Sequence, residues 1–314
     1  MTRRLLLPLL ILLLTTAGLR AQQIVEFSQF RENAFFFNPA VAGSENNPMA
    51  YLSGRMQWTN IDRSPFTVNA AFHMPFDRKN IAAGGYLFND FTGPTSQTAF
   101  GGSFAYRIIF SEYRPGVSEH KSLSFGLGVS VVQHRLRGDR LRPDIPDDPE
   151  IISSTGSQFF PDASFGIFYN SKKLYAGLAV PQLISVDISV DDRNDTETTI
   201  RRMQHYYALF GGKIHLNKKA RNATPLYLDG AFNLHYVIGA PPQVTTSLRF
   251  EMEDTFFAGV GYRSIETLFF EAGFTISEQF RLNYSYDLGV SDLRPDLGQV
   301  HEIFLGYRFA KSFY

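Results

Sequence analysis

The sequence predicts an all-β protein, a transmembrane antiparallel β-barrel of about fourteen strands behind an N-terminal signal peptide. Three observations carry this prediction. Apolar residues recur at every second position along many segments, the period of an extended strand rather than of a helix. The alternate positions hold charges of both signs, at Arg107, Arg249, Glu251, Arg263, Glu271, Arg281, Asp287, Glu302 and Arg308, while the apolar face carries rings near strand ends, such as Tyr106, Tyr169, Tyr236 and Tyr262. A soluble sandwich or propeller accounts for the alternation. A lipid-facing band with aromatic girdles around a polar lumen accounts for both faces. Third, tight connections tend to alternate with long ones along the chain.

Taken in order, Thr2-Arg3-Arg4 is a basic start, Leu5 to Leu14 an apolar run broken only by Pro8, and Thr15 to Ala21 a cleavage region ending in Leu-Arg-Ala. Residues 1–21 therefore read as a signal peptide cut after Ala21, since the apolar run is about half of what spans a bilayer. Residues 22–48 are expected to form a periplasmic or plug segment, and residues 49–314 an outer-membrane barrel. Strands are expected near 50–58, 66–74, 81–91, 97–110, 122–134, 159–170, 173–180, 203–216, 224–237, 243–252, 255–263, 266–274, 279–288 and 300–309. In the cleanest, Leu123, Phe125, Leu127, Val129 and Val131 share one face, and Ser124, Gly126, Gly128 and Ser130 the other. The last strand sets Ile303, Leu305, Tyr307 and Phe309 against Glu302, Phe304, Gly306 and Arg308. The turns Asp77 to Asn80, Asn170 to Lys172 and Ile276 to Gln279 are tight, whereas Arg135 to Gln158, Pro181 to Arg202 and Gly289 to Gln299 are long. Ser111 to Lys121 and Arg263 to Glu266 break the pattern. Short turns on one rim and long loops on the other place both chain ends in the periplasm.

Composition narrows the function. Thirty Phe and 15 Tyr against one Trp favour strands and membrane interfaces. With no cysteine, disulfides, thiolate metal sites and a cysteine nucleophile are excluded. Thirty basic and 30 acidic residues leave no net charge to attract nucleic acid. A mean hydropathy of −0.13 is too polar for a bundle of membrane helices. No G-x-S-x-G elbow, H-E-x-x-H pair or phosphate-cradling loop occurs, so no catalytic residue, cofactor or metal is assigned and the protein reads as a non-enzyme. His134, His205, His215, His235 and His301 lie on different strands without the short spacing of a zinc site. Lumen charges of mixed sign argue for a cross-linked interior rather than an ion-selective pore.

Two groups of residues are candidate partner sites. Asn38, Pro39 and Gly43, in Asn38-Pro-Ala-Val-Ala-Gly43, pair a rigid position with a permissive one. They read either as a plug or docking segment or as a structural lead-in whose turn chemistry alone explains them. The long loops carry Asp139, Asp144, Asp147 and Asp148, then Asp187, Asp191 and Asp192. They read as a docking surface on a rigid scaffold or as solvated surface, and their spacing matches no EF-hand for calcium.

Several stretches carry a family resemblance. Glu26-Phe-Ser-Gln-Phe-Arg-Glu-Asn-Ala-Phe-Phe-Phe-Asn-Pro-Ala-Val-Ala-Gly-Ser44 contains Phe27, Ser28 and Gln29. Gln57-Trp-Thr-Asn-Ile-Asp-Arg-Ser-Pro-Phe-Thr67 contains Trp58, Asp62 and Pro65. Tyr175-Ala-Gly-Leu-Ala-Val-Pro-Gln182 follows, then Tyr284-Ser-Tyr-Asp287 and, with His301 and Glu302, His301-Glu-Ile303. In this order they resemble the motifs of the PorP/SprF family of type IX secretion system membrane proteins, with Asn60 and Arg63 where the family pattern has glycines. The resemblance implies a non-enzymatic outer-membrane barrel of a Bacteroidota-type bacterium, serving protein secretion and in some members gliding motility. The implied partners are a secreted protein or adhesin with a C-terminal sorting domain, anchored at the cell surface, other type IX components, and a periplasmic peptidoglycan-binding lipoprotein. Outer-membrane lipid is expected to surround the barrel. The competing reading is a channel or transporter for hydrophobic small molecules.

Overall fold

Fourteen antiparallel strands close on themselves in the structure, a computed structural model that describes residues 25–310 apart from 46, 77–79, 111–120, 138–155, 186, 191–197, 202, 218–223, 254, 265 and 291–297. The wall is β1 (Met49–Met56), β2 (Phe66–Pro75), β3 (Ile81–Thr92), β4 (Thr95–Phe110), β5 (Lys121–Leu136), β6 (Gly156–Asn170) and β7 (Leu174–Gln182). A two-stranded hairpin, β8 (Asp187–Val190) and β9 (Thr198–Arg201), then leaves the wall. The wall resumes with β10 (His205–His215), β11 (Leu226–Val237), β12 (Gln243–Met252), β13 (Phe256–Arg263), β14 (Thr267–Ile276), β15 (Phe280–Gly289) and β16 (Val300–Arg308). β16 pairs back onto β1 from Met49↔Arg308 to Met56↔His301, so no wall strand keeps an open edge, as a hydrocarbon environment requires.

Each expected strand is present, and two connections differ from expectation. β3 and β4 extend until only Gly93-Pro94 separates them, with Gly93 at φ +57° supplying the left-handed turn residue. The 181–202 stretch, read as loop, contains the β8–β9 hairpin.

The strand period sorts the side chains. On β12 the residues Gln243, Thr245, Ser247, Arg249 and Glu251 are buried, and Thr246, Leu248, Phe250 and Met252 are exposed. Phe100, Leu127, Val129, Leu178, Phe210 and Ile303 likewise point outward. Exposed apolar surface of this extent, around a buried polar interior, inverts a water-soluble core and matches a lipid-facing wall. No helix among the described residues is long and apolar enough to cross a membrane.

Both β1 and β16 meet the rim that also carries the connections after β2, β4, β6, β10, β12 and β14; it is called the chain-end rim below. The remaining connections, including 137–155 and 183–204, join at the opposite rim.

Candidate functional site

The lumen holds the chain's own N-terminal segment. Phe27, Phe30, Phe35 and Ala40 are at most 2% exposed and pack with Phe88, Phe168, Tyr207 and Phe304 of the wall. The segment folds into a one-turn helix, α1 (Ala34–Phe37), and a 3-10 turn, Pro39–Val41. Asn38 joins them: its side chain accepts from the Ala40 N–H (2.9 Å) and donates to the carbonyls of Ile167 (3.1 Å) and Leu178 (3.5 Å). Pro39 sits first in the 3-10 turn, where its missing N–H costs nothing.

Glycine permits the close approach. A Cβ at Gly126 would lie 2.2 Å from the Ala40 nitrogen, and one at Gly166 1.9 Å from Asn38 Oδ1. Gly43 has φ +70° and donates its N–H to His73 Nδ1 (3.2 Å).

Polar clamps hold the segment at three levels. Nearest the opposite rim, Glu26 bonds the His235 ring, which bonds His205 (2.8 Å). Beside it, the Ser28 N–H donates to Glu302 (2.8 Å), and its hydroxyl donates to Asp287 (2.7 Å) while accepting from Arg55 (3.0 Å) and Arg263 (2.9 Å). Arg55 bridges Asp287 and Glu302, both at 2.9 Å. Gln29 donates its N–H to Glu302 (3.2 Å) and its side-chain amide to the Glu302 carbonyl (3.2 Å). At mid-lumen Arg249 forks between Glu32 (2.6 and 3.0 Å) and Glu271 (2.6 and 2.6 Å), stacking over Phe257 at 4.3 Å. Arg31 reaches Asp229 (3.6 Å) and Glu271 (3.4 Å). At the chain-end rim Arg308 bonds Glu45 (3.1 Å), and Asn170 donates to the Ser44 carbonyl (3.1 Å). Burial by itself raises the Glu32 carboxyl, but the Arg249 guanidinium, with Arg31 behind it, overrides burial and holds it at about 2.

The segment thus runs from near the opposite rim at Glu26 to the chain-end rim at Ser44. Below it a cavity of about 1020 Å³ extends to the chain-end rim, walled by Phe35, Tyr51, Phe257 and Phe304 among others.

The sequence-derived candidates separate in space. Phe27, Ser28, Gln29, Asn38, Pro39, Gly43 and Glu302 meet inside the barrel. His301, at the next position to Glu302, faces outward and bonds the Tyr284 hydroxyl (2.7 Å). Trp58, Asp62 and Pro65 lie in the β1–β2 connection at the opposite rim, where Gln57 N–H donates to the Pro65 carbonyl (2.9 Å). There Arg63 adopts φ +62° at a position where the family pattern has glycine. Asp139, Asp144, Asp147, Asp148, Asp191 and Asp192 fall outside the described residues, as does the signal peptide. Asp187 begins β8, of which only the backbone is described. The alternation of charged wall positions marks Arg249, Asp287 and Glu302 in the sequence. Nothing comparable marks Ser28, Arg31 or Glu32, each of which has a partner more than 200 residues away.

A family model described as "Type IX secretion system membrane protein PorP/SprF" matches residues 19–307. The chain belongs to the PorP/SprF family. No curated protein matches this PorP/SprF member. Among solved structures it is similar to the Ralstonia pickettii toluene transporter TbuX (9% identity, 88% of this chain and 93% of that one, TM-score 0.49). It is also similar to Acinetobacter baumannii Omp33 (6% identity, 84% and 98%, TM-score 0.45) and the P. putida toluene transporter TodX (9%, 89% and 95%, TM-score 0.42). At these identities the likeness is one of barrel architecture alone.

Proposed function

We propose that this PorP/SprF protein is an outer-membrane anchoring and docking barrel. In this reading the loops of the opposite rim face outward and hold a secreted protein or adhesin bearing a C-terminal sorting domain. The chain-end rim faces the periplasm, where it meets other type IX components and a peptidoglycan-binding lipoprotein. Residues 22–48 act as a plug, with Asn38, Pro39 and Gly43 fitting it to the wall, and Asp139, Asp144, Asp147, Asp148, Asp187, Asp191 and Asp192 belong to the cargo surface. The observation that carries the proposal is the N-terminal segment bound across the lumen by hydrogen bonds of Ser28 and ion pairs of Arg31 and Glu32. A wall cross-linked through its own interior suits a body that bears load and docks proteins. A carrier of hydrophobic molecules needs an apolar lumen path instead, and the buried Arg55, Arg249, Asp287 and Glu302 oppose one. Deleting residues 138–155, between β5 and β6, tests the proposal. Cargo is expected to be lost from the cell surface while the barrel keeps its heat-modifiable migration, and retention of cargo would overturn the cargo assignment.

A further inference from the structure

We infer that the chain-end cavity is a binding site for an acidic peptide segment of a periplasmic protein. The periplasmic assignment rests on the orientation proposed above; the chemistry of the site does not. Most acids on its wall are already neutralised: Glu32 by Arg249, Glu45 by Arg308, Asp229 by Arg31 and Glu251 by Lys213. Lys172, Lys173 and Arg281 also line the cavity; none of them has an ion-pair partner in contact among the described residues, and Arg281 acts on Glu45 and Glu32 from farther away. Against these three cations stands one acid without such a partner, Glu253. Among the described residues the residual charge of the mouth is therefore positive, and it attracts and orients an anionic partner.

The placement of those cations selects the kind of anion. Lys172 and Lys173 lie in the turn between β6 and β7, and Arg281 on β15. In the ring of fourteen strands β7 and β15 are six apart, close to diametrically opposed. A barrel of this strand number is on the order of 25 Å across. A phosphate or a single lipid headgroup reaches one side only, whereas an extended acidic segment laid across the mouth reaches both.

The lysine turn is held in place. The Ser171 N–H donates to the Leu174 carbonyl (2.9 Å), the Leu174 N–H donates to the Ser171 hydroxyl (3.0 Å), and the Lys173 carbonyl accepts from the Lys213 N–H (2.8 Å). Phe257, half-buried, supplies apolar wall for the side chains between the acids.

The test is site-specific photocrosslinking in cells. A benzophenone amino acid replaces Thr255, an exposed residue on the cavity lip, in the full-length protein. The crosslinked peptide is then identified by mass spectrometry. The expected adduct is a protein segment of net negative charge. K172E/K173E/R281E should lower its yield at least tenfold while heat-modifiable migration of the barrel is retained. Adducts confined to lipid, a neutral or basic segment, no adduct, or a yield indifferent to the charge reversal would each overturn the site. An acidic segment from a protein located outside the cell would leave the site standing and overturn the orientation instead, so the two failures are distinguishable.

Discussion

Replacing Arg249 by leucine strips the mid-lumen clamp of its cation. In the wild type its guanidinium serves Glu32 on the segment and Glu271 on the wall, both at most 6% exposed. Arg31 stays within 3.4 Å of Glu271 but makes no hydrogen bond to Glu32. R249L therefore leaves Glu32 buried without its partner, and the segment regains that carboxylate's solvation only by leaving the lumen. Removing one member of a buried pair costs about 3 kcal/mol or more, roughly a 150-fold rise in the open population. The β ladder is untouched, because its hydrogen bonds are between backbones. Since the chain has no cysteine, Ala34→Cys places a unique thiol on the segment at a site that is 4% exposed. Maleimide labelling of A34C is expected to accelerate about 100-fold or more in R249L when opening limits the reaction. Adding E32L and E271L, which replaces the ions with apolar groups, should restore slow labelling. Labelling that rises less than tenfold in R249L, with the barrel folded, would refute the claim that this pair holds the segment.

Other consequences are testable. Gly126→Val sets a side chain where the Ala40 backbone lies, so it should destabilise segment docking by about 1–3 kcal/mol, read as faster labelling of the same A34C thiol. Leu127→Arg, one residue on, points outward and should cost about 2–4 kcal/mol in folding titrations into lipid vesicles if mid-strand faces lipid; a cost below about 1 kcal/mol would place it outside the hydrocarbon. The depressed Glu32 pKa means its ion pair contributes fully above about pH 4.5 and is lost as pH falls through about 2. Pepsin cleavage at Phe35–Phe37, normalised to a free peptide, should therefore rise between those limits, and Glu32→Gln should flatten the rise.

The wall was legible in the sequence because a strand's side chains alternate with period two, and lipid on one side and a polar lumen on the other write opposite chemistry at odd and even positions. Residues 280 to 288 or 300 to 309 declare themselves without reference to any other part of the chain. Strand count, the sign of each face and the charged lumen rows at Arg249, Asp287 and Glu302 follow from that local rule, and the family motifs are equally local strings. The packing of the segment is not local. Ser28 meets Asp287 and Glu302 across more than 250 positions of chain, and no period or spacing encodes a meeting that depends on ring closure between β1 and β16. Turn chemistry alone explains Asn38-Pro39 in the sequence and leaves the plug reading open, because the residues that receive them, Gly126, Gly166 and Gly177, are identified only by proximity in space. The same holds for the chain-end cavity: closure pairs most of its acids with cations from other strands and leaves Lys172, Lys173 and Arg281 facing one another across the mouth. Sequence alone determined what kind of wall this chain builds, because each strand answers to its own two faces. Tertiary structure decided what the wall encloses, because only a closed ring brings residues from opposite strands within bonding distance of one segment.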